Sequence, residues 1–434
     1  MIVGFRSSGV MTQTAVFSSV RFGRDTAEPP PHRTASPTSL ALENLRGVVI
    51  LIVLAFHAAL AYASFAPPPS DFSSPPYTWR AFPILDGHRF FGFDLFCAWQ
   101  DVYLMSLMFF LSGLFVWPSL KRKKNAAFLR DRLLRLGVPF VFGILVVMPL
   151  ATYPSYSVTA LDPSLAGYLD KLFALPFWPV GPLWFLWQLL ALTALAALVN
   201  WIAPNAIPAL GRWSAGAGTH VGRYFVCLVA LSALAYVPMA LAFTPWAWSN
   251  AGPFGIQLCR PLHYAVYFFA GVGIGVGGID RGLVAVDGPL ARRWALWLAA
   301  ALASLALWLG MSALTFNRAA SPGVQAAADF AYVIACACGC FFLIGVSLRF
   351  AASRSRVLGT LGANAYGLYL LHYVFVAWLQ FALLALPLFA VVKAPIVFAG
   401  TLLFTWTVNA TLARNALGAR LIGSAPRPLA KFAS

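Results

Sequence analysis

Apolar runs of about 17 to 25 residues recur at nearly regular intervals along this chain, and that is the length a helix needs to cross the hydrocarbon core of a bilayer. Ten can be drawn, at 47–66, 96–117, 136–152, 183–202, 222–244, 262–279, 294–316, 328–348, 357–385 and 394–413. Of 434 residues, 60% are apolar and only 10% charged, and the mean hydropathy is +0.78. Too few charges are present to cover that much apolar surface in a soluble fold. The expected fold class is therefore all-α: a polytopic integral membrane protein with about ten transmembrane helices.

The Lys and Arg residues test the map, because cytoplasmic connections carry an excess of them. With the N-terminus inside, 24 of the 30 fall in cytoplasmic segments, including seven between Lys121 and Arg135. Six fall outside: Arg80, Arg89, Lys171, Arg260, Arg318 and Lys393. Both termini are accordingly expected in the cytoplasm, and the protein in a cell membrane, the bacterial inner membrane in particular. The formal charge of +17 is then largely a topology signal, and no nucleic-acid partner is expected. Residues 1–40, rich in Ser, Thr, Pro and Arg, are expected to form a disordered cytoplasmic tail. Residues 41–413 would form the membrane domain and 414–434 a second cytoplasmic tail. The six cysteines include no CxxC pair, so neither a disulfide nor a metal is expected, and Cys336, Cys338 and Cys340 are expected to be small packing residues.

Polar groups inside the membrane are costly and are the places to look for function. The first span reads ALENLRGVVILIVLAFHAALAY over residues 41–62. At 100° per residue Arg46 and His57 are about 20° apart and Glu43 about 40° to the other side of His57, so all three share one face. Arg46 and His57 are roughly 16 Å apart along the axis, which puts the imidazole near the bilayer midplane. A histidine alone in such a place serves as readily for packing as for chemistry.

Other segments change that balance. The chain resembles the membrane-bound acyltransferase family 3, in which an Arg followed after ten residues by a His opens the first transmembrane helix; here these are Arg46 and His57. MFFLSGLFV at 108–116 looks like that family's Phe-rich Ser-Gly segment, and FLRDRLLRLGVPF at 128–140 like its basic RxxR element, with Arg132 and Arg135 as the matching residues. GPLWFLWQLL at 181–190 is similar to the Trp-Phe-Leu run that opens the fourth helix, although Pro182 stands where a His is common. ANAYGLYLLHYVFV at 363–376 looks like the late Tyr-Gly-x-Tyr-Leu-x-His segment. Each string is weak alone; five in the family's order are a strong signal.

The resemblance implies transfer of an acyl group, of acetyl or succinyl class, from cytoplasmic acyl-CoA to a hydroxyl of a carbohydrate or glycolipid. The single-domain organisation resembles the glucan-modifying, succinylating members. His57 would act as base or covalent acyl carrier. Arg46 would hold a phosphate or an oxyanion, with Glu43 fixing it. Arg132, Arg135, Lys123 and Lys124 would hold the donor's phosphates, although a basic flank looks the same for reasons of topology. Asp101 would orient a His or bind acceptor hydroxyls. Tyr369, His372 and Trp184 are weaker substrate-binding candidates, and His263 is expected at the interface. The rival is a transporter or flippase of a glycan, lipid or small anion, which would move substrate without consuming acyl-CoA. A sensory or scaffold protein would leave Arg46 and His57 without a role.

Overall fold

The computed structural model describes residues 35–65, 84–316 and 320–424. Most of the expected N-terminal tail, the end of the C-terminal one, and Arg80 and Arg318 lie outside the described residues. The fold is all-α, with one short hairpin. Its long helices are α1 (Pro37–Leu60), α2 (Phe91–Gly113), α3 (Asn125–Thr159), α4 (Trp184–Ile202), α5 (Val221–Phe243), α6 (Pro261–Gly277), α7 (Trp294–Phe316), α8 (Pro322–Phe350), α9 (Arg356–Leu383) and α10 (Ala390–Leu412). Among the described residues all but α6 are long and apolar enough to span a membrane, and α6 qualifies only together with the Gly282–Arg292 segment, bent from it by 93°. The most enclosed is α8, and the least is α7, on the rim.

Nine spans fall within a few residues of the expected core runs, apart from longer polar ends. The first differs. Ser36 caps α1 by accepting from Ser39 N, and Pro37 begins it, so the helix starts ten residues before its apolar run. Asn44 then donates to Ala351 O at 2.7 Å and Ser353 O at 2.9 Å, tying this polar stretch to the connection between α8 and α9. The helix also stops at Leu60, before the expected 66, so His57 lies in its last turn. That is well past the middle of α1. The neighbouring α9 runs on past His372 to Leu383 and keeps the site inside the bundle.

Helix α3 is 35 residues long and contains two widened turns, Leu133–Gly137 and Gly143–Val147. Pro139 and Pro149 follow them closely. Proline supplies no N–H and its ring crowds the carbonyl four residues back, so a wider turn relieves the clash and leaves carbonyls free. In a membrane such a group needs a partner. Ile144 O, in the second widened turn, accepts from the Trp178 indole at 2.8 Å; Leu150 O, which lacks a helix donor because Pro154 stands four residues on, accepts from the Trp378 indole at 2.9 Å.

Glycines set the closest helix contacts. Gly271 and Gly275 of α6 lie against the carbonyls of Phe110 and Leu114, and Gly113 lies against Phe268 O, so α2 and α6 meet backbone to backbone. Gly47 packs on Leu358 O in the same way, and Gly362 on Glu43 O, joining α1 to α9. The connection from α5 to α6 forms the hairpin of β1 (Trp248–Ala251) and β2 (Phe254–Gln257).

Candidate active site

The α1–α9 contact brings two histidines together. His57 Nδ1 lies 3.0 Å from Val53 O and 3.3 Å from His372 Nε2, while His372 Nδ1 lies 2.6 Å from Tyr369 O. A carbonyl can only accept, so both Nδ1 atoms carry protons. His372 Nε2 then presents a lone pair to His57 Nδ1–H, and His57 Nε2 is left with its own lone pair and no hydrogen-bond partner among the described residues. His372 is fully enclosed, whereas His57 is only part-buried. Tyr373 stands edge-on to the His57 ring at 5.5 Å.

The end of α1 is held firmly. Gln380 donates to His57 O at 3.0 Å and Ala58 O at 3.3 Å. Beyond the helix, Asp86 N donates to Ala61 O, Phe90 N to Tyr62 O and the Arg89 guanidinium to Ala63 O, while Asp94 accepts from Ser64 N and Phe65 N. Lys393, itself fully buried, binds Asp86 at 2.6 Å. Gln380 and this clamp were missed in the sequence. A lysine in the apolar run AVVKAPIV was a usable signal, because a buried ammonium requires a carboxylate partner.

Other expected site residues gather elsewhere. Arg46, near the middle of α1 and just before its apolar run, lays its guanidinium over the Phe115 ring at 4.6 Å, and no ion pair joins it to Glu43 among the described residues. Arg132 folds over Phe128 of its own helix at 5.1 Å, within electrostatic range of Arg46, and its buried Nε has no partner. Asp131 binds Lys123 at 3.0 Å and Arg135 at 3.3 Å. The RxxR pair is thus divided: Arg135 is engaged and exposed, and Arg132 turns inward. Lys124 is exposed at a positive φ of 62°, where it breaks the chain between the short helix Val116–Lys123 and α3.

Asp101 neither orients a histidine nor stands alone. Arg260 grips it with both terminal nitrogens, at 2.9 and 2.5 Å. Arg260, expected in an outer connection, is only 5% exposed and lies over Tyr332 at 5.4 Å. Trp184 stacks on Tyr264 at 5.6 Å beside this pair. Tyr264, Phe109, Phe185 and Tyr369 then continue in ring contact toward His372. The Tyr369 hydroxyl donates to Pro182 O, so the proline found where the family often has a histidine supplies a carbonyl here. Gly181, at a φ of +47°, sits against Met148 and Tyr373, a turn that a side chain would strain.

His263 departs most from expectation. It is fully enclosed, with Ser232 Oγ 2.6 Å from Nδ1 and Cys336 Sγ 3.5 Å from Nε2. Cys340 donates to Tyr103 O at 3.6 Å, and Cys338 is buried beside it.

Residues 39–410 match the family profile described as "Acyltransferase domain", most of the chain. The chain belongs to membrane-bound acyltransferase family 3. No curated protein and no solved structure matches it. Membership makes it a multi-pass membrane acyltransferase.

Proposed function

We propose that this acyltransferase moves an acetyl- or succinyl-class group from an acyl-CoA to a hydroxyl of a carbohydrate or glycolipid, with His57 Nε2 as the general base. The observation that carries this reading is the unpartnered Nε2, on a ring whose other nitrogen is committed to Val53 O and His372. Nε2 takes the proton of the acceptor hydroxyl as its oxygen attacks the thioester carbonyl. The resulting imidazolium returns that proton to the departing thiolate, so ester and free thiol form with the base regenerated. His372 holds the ring and its tautomer, the role an orienting partner plays for catalytic histidines in general. Asp101, already committed to Arg260, is a structural partner in this scheme.

Arg46 and Arg132, two guanidiniums with no carboxylate bound to either among the described residues, suit the phosphates of coenzyme A. Their end of the bundle is the cytoplasmic one in this reading, which the distribution of Lys and Arg supports. The membrane would be the bacterial inner membrane. Vesicles carrying the protein should release free coenzyme A from acetyl- or succinyl-CoA when supplied with envelope glycans. Mass spectrometry of those glycans should find one acyl class absent from cells lacking the protein. Movement of a glycan across the vesicle wall with no coenzyme A released would support the transporter instead.

A further inference from the structure

The connection between α3 and α4 carries a short helix, Leu165–Ala174, whose surface divides into three. Ser164 caps it by accepting from Gly167 N at 3.0 Å. At 100° per residue, Tyr168 and Leu172 fall within about 40° of arc, and both are buried. Leu165, Leu169, Phe173 and Ala166 occupy the next arc of about 100°, and all four are exposed, the three large side chains at 61%, 39% and 72%. Asp170, Ala174, Gly167 and Lys171 share the remaining arc. A surface helix of a soluble protein shows two faces, one to the core and one to water. Three faces call for three surroundings.

The level of this helix is fixed by what Tyr168 touches. Its ring stands 5.3 Å from those of Tyr153 and Tyr156 on α3, and its hydroxyl lies 2.8 Å from Thr152 Oγ1 and donates to Pro149 O at 2.7 Å. The apolar run of α3 ends at residue 152, so the helix lies where α3 leaves the hydrocarbon. Tyr153 and Tyr156 hold the preceding loop by donating to Pro163 O and Asp162 O, and Trp378 of α9 stacks on Tyr153 at 5.9 Å. Tyr and Trp collect at the boundary between membrane and water, where the ring is buried in the apolar layer and the polar tip is bonded. This is the end of α3 away from its basic start, the outer one in the orientation that Lys and Arg suggest.

We propose that Leu165–Ala174 lies flat in the bilayer surface at that boundary, with Leu165, Leu169 and Phe173 among the acyl chains, Tyr168 on α3 and Asp170 in water. Its partner is the apolar layer of the leaflet and not a particular headgroup. The charged residues between Tyr153 and Pro182 are Asp162, Asp170 and Lys171, so no excess of positive charge draws the segment to anionic lipid, and buried apolar area holds it. No second protein is needed to cover the stripe, because the level at which Tyr168 is held already brings it against acyl chains. From Ala174 the chain turns inward: the Trp178 indole reaches Ile144 O, and Gly181 and Pro182 then meet Tyr373 and the Tyr369 hydroxyl. One short segment thus joins the leaflet surface to the candidate site.

The test is nitroxide accessibility in the full chain in phosphatidylcholine vesicles, on a Cys227→Ser background, because Cys227 is the one native cysteine among the six that is not buried. Leu165→Cys, Leu169→Cys, Asp170→Cys and Ala174→Cys each carry one label. Oxygen concentrates among acyl chains and a nickel chelate in water. The ratio of oxygen to nickel collisions should be several-fold higher at the two leucine positions than at Asp170 and Ala174, and the contrast should be unchanged when phosphatidylglycerol is mixed in. Equal ratios at all four positions overturn the proposal. So do leucine-position labels shielded from both reagents, the result of a second copy or another protein covering the stripe. A contrast that appears only with phosphatidylglycerol also overturns it, since headgroup charge would then hold the helix.

Discussion

His57 and His263 both sit on apolar helices among tyrosines, yet their nitrogens are treated oppositely. Each ring nitrogen of His263 has a side-chain partner, Ser232 on one side and Cys336 on the other, and the ring is sealed. His57 commits one nitrogen to Val53 O and His372 and leaves the other open on a part-buried ring. A satisfied, enclosed histidine holds a fold together; one that is oriented but incompletely satisfied can exchange a proton with a ligand. The difference is in partners and enclosure rather than in sequence setting.

Four substitutions would break or sharpen that contrast. His57→Gln should keep the fold and lower acyl transfer by about 10²- to 10⁴-fold, the range of a lost general base, read as coenzyme A released per folded molecule. Asp101→Ala should act on stability instead. It leaves the Arg260 guanidinium buried without its carboxylate, at a cost of about 3–5 kcal/mol, measurable as a large fall in thermal midpoint in detergent. His372→Ala should leave His57 present but free to turn, lowering turnover about 10- to 100-fold, with smaller change in the KM for acyl-CoA. His263→Gln should be the mildest for activity: about 1–3 kcal/mol of stability from imperfectly replaced bonds to Ser232 and Cys336, and turnover per folded molecule within about twofold. If His263→Gln matched His57→Gln in lost turnover at full folding, the contrast would be wrong.

The spans were legible because hydropathy acts over whole helices, and α7 coincides with its apolar run at 294–316. The extra turns at the start of α1 were not, since Ser36, Pro37 and Asn44 act by capping and by a contact with residues more than 300 positions away. Within the site, the meeting of His57 with His372 needed the α1–α9 packing, which depends on Gly47 and Gly362 having no side chain. Arg260 and Lys393 were read as outer charges because a charge beside an apolar run resembles a loop flank. Their carboxylates, Asp101 and Asp86, are distant in the chain and become partners only once the helices assemble.

The central claim concerns one lone pair, and nitrogen-15 NMR of histidine-labelled protein in bilayers near neutral pH reads it directly. The spectrum of the native protein minus that of His57→Gln should lose one protonated Nδ1 and one unprotonated Nε2. A difference spectrum in which the lost Nε2 carries the proton would contradict the account, because His57 could not then accept one from a hydroxyl.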